Sequence, residues 1–485
     1  MFFRIIENLL IIYYLSYFVI DWLFFAVFLI NIRKEKISIS TTEEFKKHSV
    51  SIIVPAYNEE VTILDSIKML LSLDYPNYEV IVVNDGSTDK TMQKLLNNFD
   101  LREFKFSNCN TLTTKSVNKC YKSKDSSLKV IDKSNGGKAD SINVGINLAS
   151  NKFICTIDAD SILDKTALKQ TVQPFIDDPD LFVSGGQLAV ANGVALKNNL
   201  VYSSKLPSNI WVQWQIVEYM KSFLISRYSL SKMNAIVVMS GAFSLFKRDD
   251  LLAVGGFLTA HNDSEYIESS CGLGKQTVCE DMEIVVRLWR YFIEKKQIAK
   301  ARFLPHPLCW TEVPDNPNFL LRQRNRWHRG LAETLTIHKD MIFEPEFKRI
   351  GTFALPYFLL FELLAPIVKL FTLFFIITAI ILGSINQQWI LLALLFTTIV
   401  STLITSLGSV IIEQWAINKQ LSSRDALRYK TTGDWLRLIL MSVLGDFTYV
   451  PFRIYAQLTG LKDFINKKNE WYKFARTGFN QTEEK

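Results

Sequence analysis

A short apolar run in the middle of the chain ends in two carboxylates, and this feature constrains the fold more than any other. Residues 153–157 are apolar or β-branched, and Asp158 and Asp160 follow them closely. Such a run is typical of a buried parallel strand whose carboxyl end opens on a ligand crevice. Two carboxylates at that edge favour a hard divalent cation, Mg²⁺ or Mn²⁺, which prefers oxygen ligands and in turn binds a diphosphate.

The spacing of these carboxylates is not specific by itself. With about a quarter of residues charged, an Asp-x-Asp arises by chance roughly once or twice in a chain this long. A second copy, Asp178 and Asp180, lies in a polar stretch broken by Pro179 and is predicted to be a turn. The interpretation of Asp158 and Asp160 therefore depends on the residues that the rest of the chain brings to them.

Apolar sequence at the start of the chain predicts a membrane span. Residues 5–30 are almost wholly apolar, with Glu7, Asn8 and Asp21 as interruptions, and they are long enough to cross a hydrocarbon core of ~30 Å. A cleaved signal peptide is the alternative, but the run is too long and no small-residue cleavage site follows it. The basic stretch after it, at residues 33–36, predicts that the next domain lies in the cytoplasm.

The chain becomes apolar again after residue 356. An interfacial helix and two spans are expected at about 353–365, 367–385 and 389–412. Residues 435–458 contain Arg437, Asp446 and Arg453, so they form either a further span or a hairpin on the membrane surface. We therefore expect a multi-pass protein of the plasma membrane in three parts. These are an N-terminal transmembrane helix (1–36), a cytoplasmic catalytic domain (37–345), and interfacial helices, transmembrane helices and a cytoplasmic tail (346–485).

Charge and cysteine usage exclude two other classes. The net charge of +7 does not predict nucleic-acid binding, because the basic residues are spread among acidic ones and flank the apolar segments. They indicate contact with a lipid bilayer. The six cysteines form no CxxC pair and fall in the region expected in the cytoplasm, so we expect reduced thiols and neither disulfides nor a zinc site. No pattern indicates an oligomeric state.

Two segments repeat the order strand, polar loop and helix, at residues 50–71 and from residue 78 onward. Strands that alternate with helices predict an α/β fold with a right-handed parallel sheet and ligands at the carboxyl ends of the strands. An aromatic ring and a carboxylate in this crevice suit a nucleoside, although the Asp85 turn taken singly is equally typical of a plain turn. The residues predicted to line the crevice on the donor side are Pro55, Ala56, Tyr57, Glu59 and Asp85.

A third strand, at residues 128–132, is followed by Gly136, Gly137 and Lys138 at the start of a helix. Glycines at a helix start let backbone amides approach an anion, and Lys138 adds a positive charge beside them. The glycine spacing is too short for a nucleotide-triphosphatase loop. This segment therefore predicts a further contact to the phosphates of a donor.

Three later motifs follow in order. Residues 239–243 read Met-Ser-Gly-Ala-Phe, residues 278–281 read Val-Cys-Glu-Asp, and residues 323–327 read Gln-Arg-Asn-Arg-Trp, a QxxRW motif. From about residue 50 to residue 330 the ordered set resembles the family-two, A-type nucleotide-sugar glycosyltransferases, among them cellulose, hyaluronan and poly-N-acetylglucosamine synthases. Cys279 stands where that family has threonine, a difference that concerns positioning more than the carboxylates themselves.

The resemblance implies an A-type glycosyltransferase domain, with a Rossmann-like and mostly parallel sheet, flanked by transmembrane helices. It implies a catalytic pair, Glu280 and Asp281, of which Asp281 is the candidate general base. Alternatively, both acids only start a helix, where the helix dipole favours them; the two roles are compatible. The further donor-binding residues are Lys138, Asp158, Gln323, Arg326 and Trp327. The acceptor-binding residues are Ser240, Gly241, Ala242, Trp310, Glu312 and Trp327.

The function that this resemblance implies is polymer synthesis. We expect a processive inverting transferase that makes a β-linked extracellular or capsular polysaccharide from UDP-glucose or UDP-N-acetylglucosamine and exports it through its own membrane channel. Its partners are then the UDP-sugar donor and the growing polysaccharide acceptor. One alternative is a non-processive enzyme that acts on a lipid-linked acceptor. Another is a membrane scaffold without activity, since one fold hosts many functions.

Overall fold

The computed structural model describes residues 2–35, 39–105, 111–197, 200–383, 408, 429, 431–468 and 480–481. The strands are β1 (Val50–Ala56), β2 (Tyr78–Asp85), β3 (Leu101–Phe104), β4 (Val117–Ser123), β5 (Leu128–Lys133), β6 (Phe153–Ile157), β7 (Ser161–Leu163), β8 (Leu181–Val190), β9 (Val194–Lys197), β10 (Leu200–Ser204), β11 (Phe243–Lys247), β12 (Lys300–Thr311) and β13 (Asn480–Gln481).

The first eight α-helices are α1 (Phe2–Ile32), α2 (Thr42–Lys46), α3 (Ile63–Leu70), α4 (Thr91–Asn98), α5 (Lys138–Leu148), α6 (Ala167–Asp177), α7 (Ile210–Glu218) and α8 (Arg227–Lys232). They are followed by α9 (Arg248–Ala253), α10 (Glu265–Ser270), α11 (Glu280–Glu294), α12 (Pro317–Ile337), α13 (Leu355–Tyr357), α14 (Ala365–Ile381), α15 (Thr432–Phe447) and α16 (Tyr449–Ile465). Short π-helical segments are Tyr219–Ser226, Ile350–Ala354 and Phe358–Leu363, and 3₁₀ turns are Lys339–Met341 and Pro345–Phe347.

The main sheet has ten strands in the order β3-β4-β5-β2-β1-β6-β11-β8-β12-β7. Its centre, β5-β2-β1-β6, is parallel, as predicted. The expectation of a mostly parallel sheet is wrong for the whole, because β11 inserts antiparallel between β6 and β8, and antiparallel pairs lie at both edges. Outside the centre of this sheet, β8 and β12 pair in parallel. The fold is α/β with a mixed sheet.

Both faces of the central strands are buried, which explains why their sequences are continuously apolar. Ile53 and Ile81 pack into one hydrophobic cluster, whereas Ile52 and Val80 pack into the cluster on the opposite face. Successive side chains of a strand point to opposite sides, so each cluster receives alternate residues. The loops at the carboxyl ends of the strands are left to carry polar groups.

Apolar helices at both ends of the chain agree in part with the expected membrane spans. Within the described residues, one helix, Phe3–Ile32, is long and apolar enough to cross a membrane alone. Two further pairs reach that length only when counted together, Ile350–Leu363 with Ala365–Ile381, bent by 46°, and Thr432–Phe447 with Tyr449–Ile465, bent by 52°. The span expected at 389–412 lies outside the described residues apart from Gly408.

Residues 435–458, expected to form either a further span or a surface hairpin, are helical in the structure. This stretch forms two helices, α15 and α16, which meet at a bend beside Thr448. Arg453 is partly buried and pairs with Glu218 at 3.1 Å. The segment is a bent pair of helices, and both interpretations, a further span and a surface hairpin, stay predictions.

Candidate active site

The predicted donor residues meet at one edge of the sheet because the strands that carry them are parallel and adjacent. Ala56 at the end of β1 lies opposite Asn84 near the end of β2, and Ile53 lies opposite Thr156 of β6. Tyr57, Asp85 and Asp158 are therefore delivered to the same edge. The shared edge agrees with the strand pattern, and the donor crevice at that edge stays a prediction.

Lys138 at the first turn of α5 connects the two acidic motifs. Its Nζ lies 2.7 Å from Oδ1 of Asp158 and 2.9 Å from Oε1 of Glu280, and it donates to the carbonyl oxygen of Gly241 at 3.3 Å. These three partners come from the end of β6, the start of α11 and the loop before β11. One ammonium group thus joins segments that are more than a hundred residues apart in sequence.

Asp281 lies beside this centre and is held by two backbone amides. Gly241 N–H donates to its Oδ2 at 2.9 Å, and Met282 N–H donates to its Oδ1 at 2.9 Å. A carboxylate offers about four lone-pair sites, so each oxygen keeps capacity for another partner. A side chain at position 241 would place its Cβ 2.9 Å from Lys138 Nζ, so the lysine ammonium would have to shift from its present position.

The charged groups in this cluster shift one another's pKa values. Burial lowers the pKa of the Lys138 ammonium, but Asp158 and Glu280 outweigh it, and the net pKa lies above the ordinary lysine value. Burial raises the pKa of Glu280, yet Lys138 and Arg326 bring it below its ordinary value. Burial, and then the neighbouring Glu280, raise the pKa of Asp281. A buried acid with a raised pKa suits proton transfer near neutral pH.

Asp85 supports the glycine loop. It is buried, and its carboxylate accepts hydrogen bonds from Gly136 N–H at 2.9 Å, Gly137 N–H at 2.8 Å and Lys133 Nζ at 2.6 Å. Lys133 is fully buried and also pairs with Asp140 at 2.7 Å. These contacts fix the loop that presents Lys138, while the predicted contact of Asp85 to a nucleoside stays a prediction.

The QxxRW helix, α12, packs against the start of α11. Cys279 Sγ is the contact, since a Cβ added at Gly330 would come within 2.3 Å of it and the thiol lies 3.8 Å from the carbonyl oxygen of Trp327. The cysteine that replaces the family's threonine therefore sets the distance between the Glu-Asp pair and QxxRW. Trp327 is half-buried, with the Arg324 guanidinium 4.0 Å from its ring centroid.

The other predicted residues are placed less decisively. Ser240 and Ala242 flank Gly241 in the loop and are buried. Trp310 pairs with Ile162 in the sheet and is buried in a small cluster, and its Nε1–H donates no hydrogen bond to the described residues. Glu312 follows the end of β12 and is half-buried. Pro55 and Ala56 end β1, Tyr57 and Glu59 follow it, and Gln323 and Arg326 lie on α12. The roles of these six residues stay predictions.

The residues at the end of β6 suit a divalent cation. Asp158 and Asp160 are both carboxylates, the oxygen ligands that Mg²⁺ and Mn²⁺ prefer. Burial, and then the like charge of Asp160, raise the pKa of Asp158 although Lys138 opposes both. The Lys138 ammonium pairs with Glu280 as well as with Asp158, so it compensates only part of the negative charge of Asp158 and Asp160. A second cation would complete the compensation.

Sequence reasoning missed a buried ionic cluster beneath Trp327. Glu218 Oε2 lies 2.6 Å from Arg324 and accepts from the Tyr449 hydroxyl at 2.7 Å, and its Oε1 lies 3.1 Å from Arg453. Of these residues, the sequence singles out only Arg453, as a charge inside an apolar segment. Acidic and basic residues at apolar positions of separate segments were the available signal.

Fold and site together define a glycosyltransferase. A profile described as Glycosyl transferase family 2 matches residues 51–108, and one described as Glycosyltransferase like family 2 matches residues 110–330. The two matches cover more than half of the chain and include Lys138, Asp158 and Asp281. The chain belongs to the family-two glycosyltransferases, as its motifs predicted.

The chain is also similar to individual members of known name. The chain is 26% identical over 403 residues to a poly-beta-1,6-N-acetyl-D-glucosamine synthase of Staphylococcus epidermidis, covering 81% of this chain and 82% of the relative. It is 24% identical over 355 residues to the synthase of that name from Staphylococcus aureus strain COL, covering 73% and 70%. A solved mannosyltransferase of Pyrobaculum calidifontis, in complex with GDP-Man and Mn²⁺, has 16% identity and a TM-score of 0.47, covering 95% of this chain and 100% of that one.

Proposed function

We propose that this enzyme is a processive inverting transferase that polymerises a β-linked polysaccharide from a UDP-sugar. The observation that carries the proposal is the meeting of Lys138, Asp158 and Glu280, with Asp281 held beside them by the Gly241 amide. The names of the relatives favour UDP-N-acetylglucosamine over UDP-glucose and a β-1,6-linked product. The polymer is then an extracellular or capsular polysaccharide.

The residues divide the chemistry between donor and acceptor. The acceptor hydroxyl attacks the anomeric carbon, the bond from that carbon to the diphosphate breaks, and the hydroxyl proton passes to Asp281. Lys138 and Arg326 balance the negative charge that develops on the leaving diphosphate. A divalent cation held by Asp158 and Asp160 would add a Lewis acid for the same diphosphate. Trp327 supplies an aromatic floor for a sugar ring.

The membrane arrangement belongs to the same proposal. Residues 1–36 anchor the chain, residues 37–345 form a cytoplasmic catalytic domain, and residues 346–485 supply interfacial and transmembrane helices through which the polymer leaves. The outer faces of α1 and α14 support it, because large apolar side chains such as Leu9, Ile12, Phe374 and Ile381 are exposed there. The polar Asp21 of α1 is buried instead and pairs with Lys221 at 3.3 Å.

The activity is tested by UDP release from purified full-length protein with UDP-N-acetylglucosamine, UDP-glucose and other UDP-sugars. We expect release with UDP-N-acetylglucosamine and a long product that a β-1,6-specific N-acetylglucosaminidase digests. Transfer of a single sugar to a lipid extract, without polymer, would favour the non-processive alternative. Absence of UDP release with every donor and acceptor would instead support the scaffold alternative.

Cation dependence is tested separately. We expect excess chelator to abolish turnover and Mg²⁺ or Mn²⁺ to restore it. Asp160→Asn should weaken cation-dependent donor use more than Asp158→Asn, because Lys138 already compensates Asp158. Calorimetry of Mn²⁺ binding measures this without turnover. Asp178→Asn and Asp180→Asn are matched controls, since this second Asp-x-Asp pairs with Lys300 away from the site. Full turnover in chelator would contradict the cation role.

A further inference from the structure

A continuous helix with an irregular middle runs beside the QxxRW helix. The helix α7 passes into the π-helical segment Tyr219–Ser226 and then directly into α8. A π-helical segment widens the turn and is rare, and such segments occur frequently at functional sites. The family motifs used above do not include any residue of this segment.

Side chains at intervals of four form a ladder on this helix. The rings of Tyr219 and Phe223 have centroids 4.3 Å apart, and the Arg227 guanidinium lies 4.0 Å from the Phe223 centroid. The Phe223 ring in turn lies 6.3 Å from the ring of Trp327. The ladder therefore faces the QxxRW helix and borders the aromatic floor proposed for the sugar.

Arg227 is half-buried, and it differs from Arg287 and Arg324, two buried arginines of the described structure, in its charge partners. Arg324 has Glu218 at 2.6 Å and Arg287 has Glu283 at 2.8 Å. Among the described residues, Arg227 has no carboxylate at ion-pair distance, and its Nη1 is buried without a hydrogen-bond partner. A buried donor that lacks an acceptor is costly, so an oxygen from a ligand is the expected partner.

The charge of Arg227 interacts electrostatically with Asp281, the candidate base of the site. Burial lowers the pKa of its guanidinium to about 10, and the carboxylate of Asp281 opposes this shift. The group therefore stays positively charged at neutral pH, within electrostatic reach of Asp281. Because that carboxylate already balances the positive charge, a neutral sugar fits this position better than an acidic one.

We propose that Arg227 is a binding residue of the acceptor subsite and that its Nη1 donates a hydrogen bond to a hydroxyl or amide carbonyl oxygen of a neutral sugar at the end of the growing chain. The proposal rests on the proposed polymerase function. It adds to the QxxRW and Met-Ser-Gly-Ala-Phe motifs a residue that lies outside both. The Phe223 ring holds the guanidinium in place, so the donor is oriented before the sugar arrives.

The test separates acceptor binding from donor binding in purified full-length protein. Arg227→Gln removes the charge, and Arg227→Lys keeps the charge but loses the planar fork. Arg102→Gln, an exposed position on β3, is the matched control. Three quantities are measured: calorimetric affinity for UDP-N-acetylglucosamine, donor hydrolysis without acceptor, and the KM for an added N-acetylglucosamine oligosaccharide.

We expect Arg227→Gln to raise the acceptor KM by about tenfold or more while donor affinity and donor hydrolysis are kept. The loss of a hydrogen bond to a charged group weakens binding by about this factor. Arg227→Lys should show a smaller increase, and Arg102→Gln none. An unchanged acceptor KM, or an equal loss of donor affinity, would overturn the assignment. Arg227→Lys provides the comparison if Arg227→Gln does not fold. Failure of the wild-type protein to respond to acceptor would instead contradict the proposed function.

Discussion

At the scale of single residues, the site depends on how one lysine is shared. Lys138 contacts Asp158 and Glu280 at 2.7 and 2.9 Å, whereas Asp281 is held by backbone amides at 2.9 Å. Two neighbouring acids therefore have different surroundings, and their pKa values move in opposite directions. Glu280 stays ionised beside the cations, and Asp281 is left as the group able to take up a proton.

Asp281→Asn should retain donor binding and lose transfer. The amide has nearly the shape of the carboxylate and can accept the Gly241 N–H bond, but it cannot accept a proton from the acceptor hydroxyl. The expected loss in kcat is ~10²–10⁴-fold, the usual contribution of a general base. Calorimetry with UDP-N-acetylglucosamine and UDP-release assays measure the two properties. A parallel loss of donor affinity would assign Asp281 a structural role instead.

The pH dependence follows from the same residue. Burial, and then Glu280, raise the pKa of Asp281, and a general base must be ionised to act. Activity should therefore fall as the pH decreases through this raised pKa, at a higher pH than for an ordinary aspartate of pKa about 3.9. Arg227 opposes the rise, so Arg227→Gln should move the acid limb of kcat/KM further upward. An acid limb at the ordinary aspartate pKa would contradict this assignment.

At the scale of elements, α12 is the part that joins the site to the C-terminal helices. Gly460 of α16 lets the helices approach closely, because an added Cβ would lie 2.6 Å from the carbonyl oxygen of Asn325. Asn325 also donates to Asp463 of α16 at 2.8 Å. Burial raises the pKa of Glu218, but Arg324 and Arg453 outweigh it and hold the pKa below its ordinary value. Asn325 and Arg324, which are close to Trp327 on α12, thus both contact α16 or its ionic partners. The position of Trp327 therefore depends on α16.

Removing the carboxylate of Glu218 from its ionic cluster with Arg324 and Arg453 should destabilise the protein strongly. Glu218→Ala leaves Arg324 and Arg453 buried without their shared partner, at a cost of about 3–5 kcal/mol. Tyr449→Phe removes the hydrogen bond that the hydroxyl donates to Glu218 and the longer one that it accepts from Arg324 at 3.3 Å, but it keeps both ion pairs. The expected cost is therefore smaller, about 1.5–3 kcal/mol. Thermal unfolding in detergent measures both. Tyr455→Phe, an exposed ring on the same helix, should have no effect. Equal melting temperatures for Glu218→Ala and the wild type would show that the cluster is not stabilising.

At the scale of the whole molecule, the catalytic sheet and the apolar helices form one connected structure. The helix α1 packs on Phe361 and Tyr357 through Tyr17 and Phe24, and it reaches the catalytic domain where Glu35 pairs with Arg302 at 2.6 Å. Exposed apolar side chains cover the outer faces of α1, α14 and α15. A polymer made at the site would meet these helices directly, because α12 leads into them.

Synthesis and export should therefore be coupled through Trp327. An aromatic face holds a sugar ring by stacking and does not fix the polymer at one position. A growing chain that moves through the enzyme requires this kind of contact. Trp327→Ala should shorten or abolish polymer and leave donor hydrolysis measurable. In proteoliposomes whose catalytic domain faces outward, wild-type polymer should be protected from added glycosidase, since a bare lipid path is too costly for sugar hydroxyls. Wholly digestible product, or full-length polymer from Trp327→Ala, would contradict coupling.

The sequence by itself determined the family, the α/β class and the order of the motifs. Strand patterns predicted the parallel centre of the sheet, and the ends of β2 and β6 located Asp85 and Asp158, because those features depend on local periodicity. The long apolar helix at the start was predicted for the same reason. Glu280 and Asp281 start a helix, as one of the two interpretations of this pair predicted, and their catalytic role stays a prediction.

Only the tertiary structure decided which residues meet. The antiparallel insertion of β11 beside β6 brings the Gly241 loop to Lys138, and no local pattern encodes a strand pairing between residues 153 and 247. The partners of Glu218 come from α12 and α16, so neither the burial of the cluster nor the unpartnered Nη1 of Arg227 is visible in sequence. The physical reason is that non-local contacts are selected by the packing of the whole chain, whereas local periodicity reports only on the side of an element that is buried.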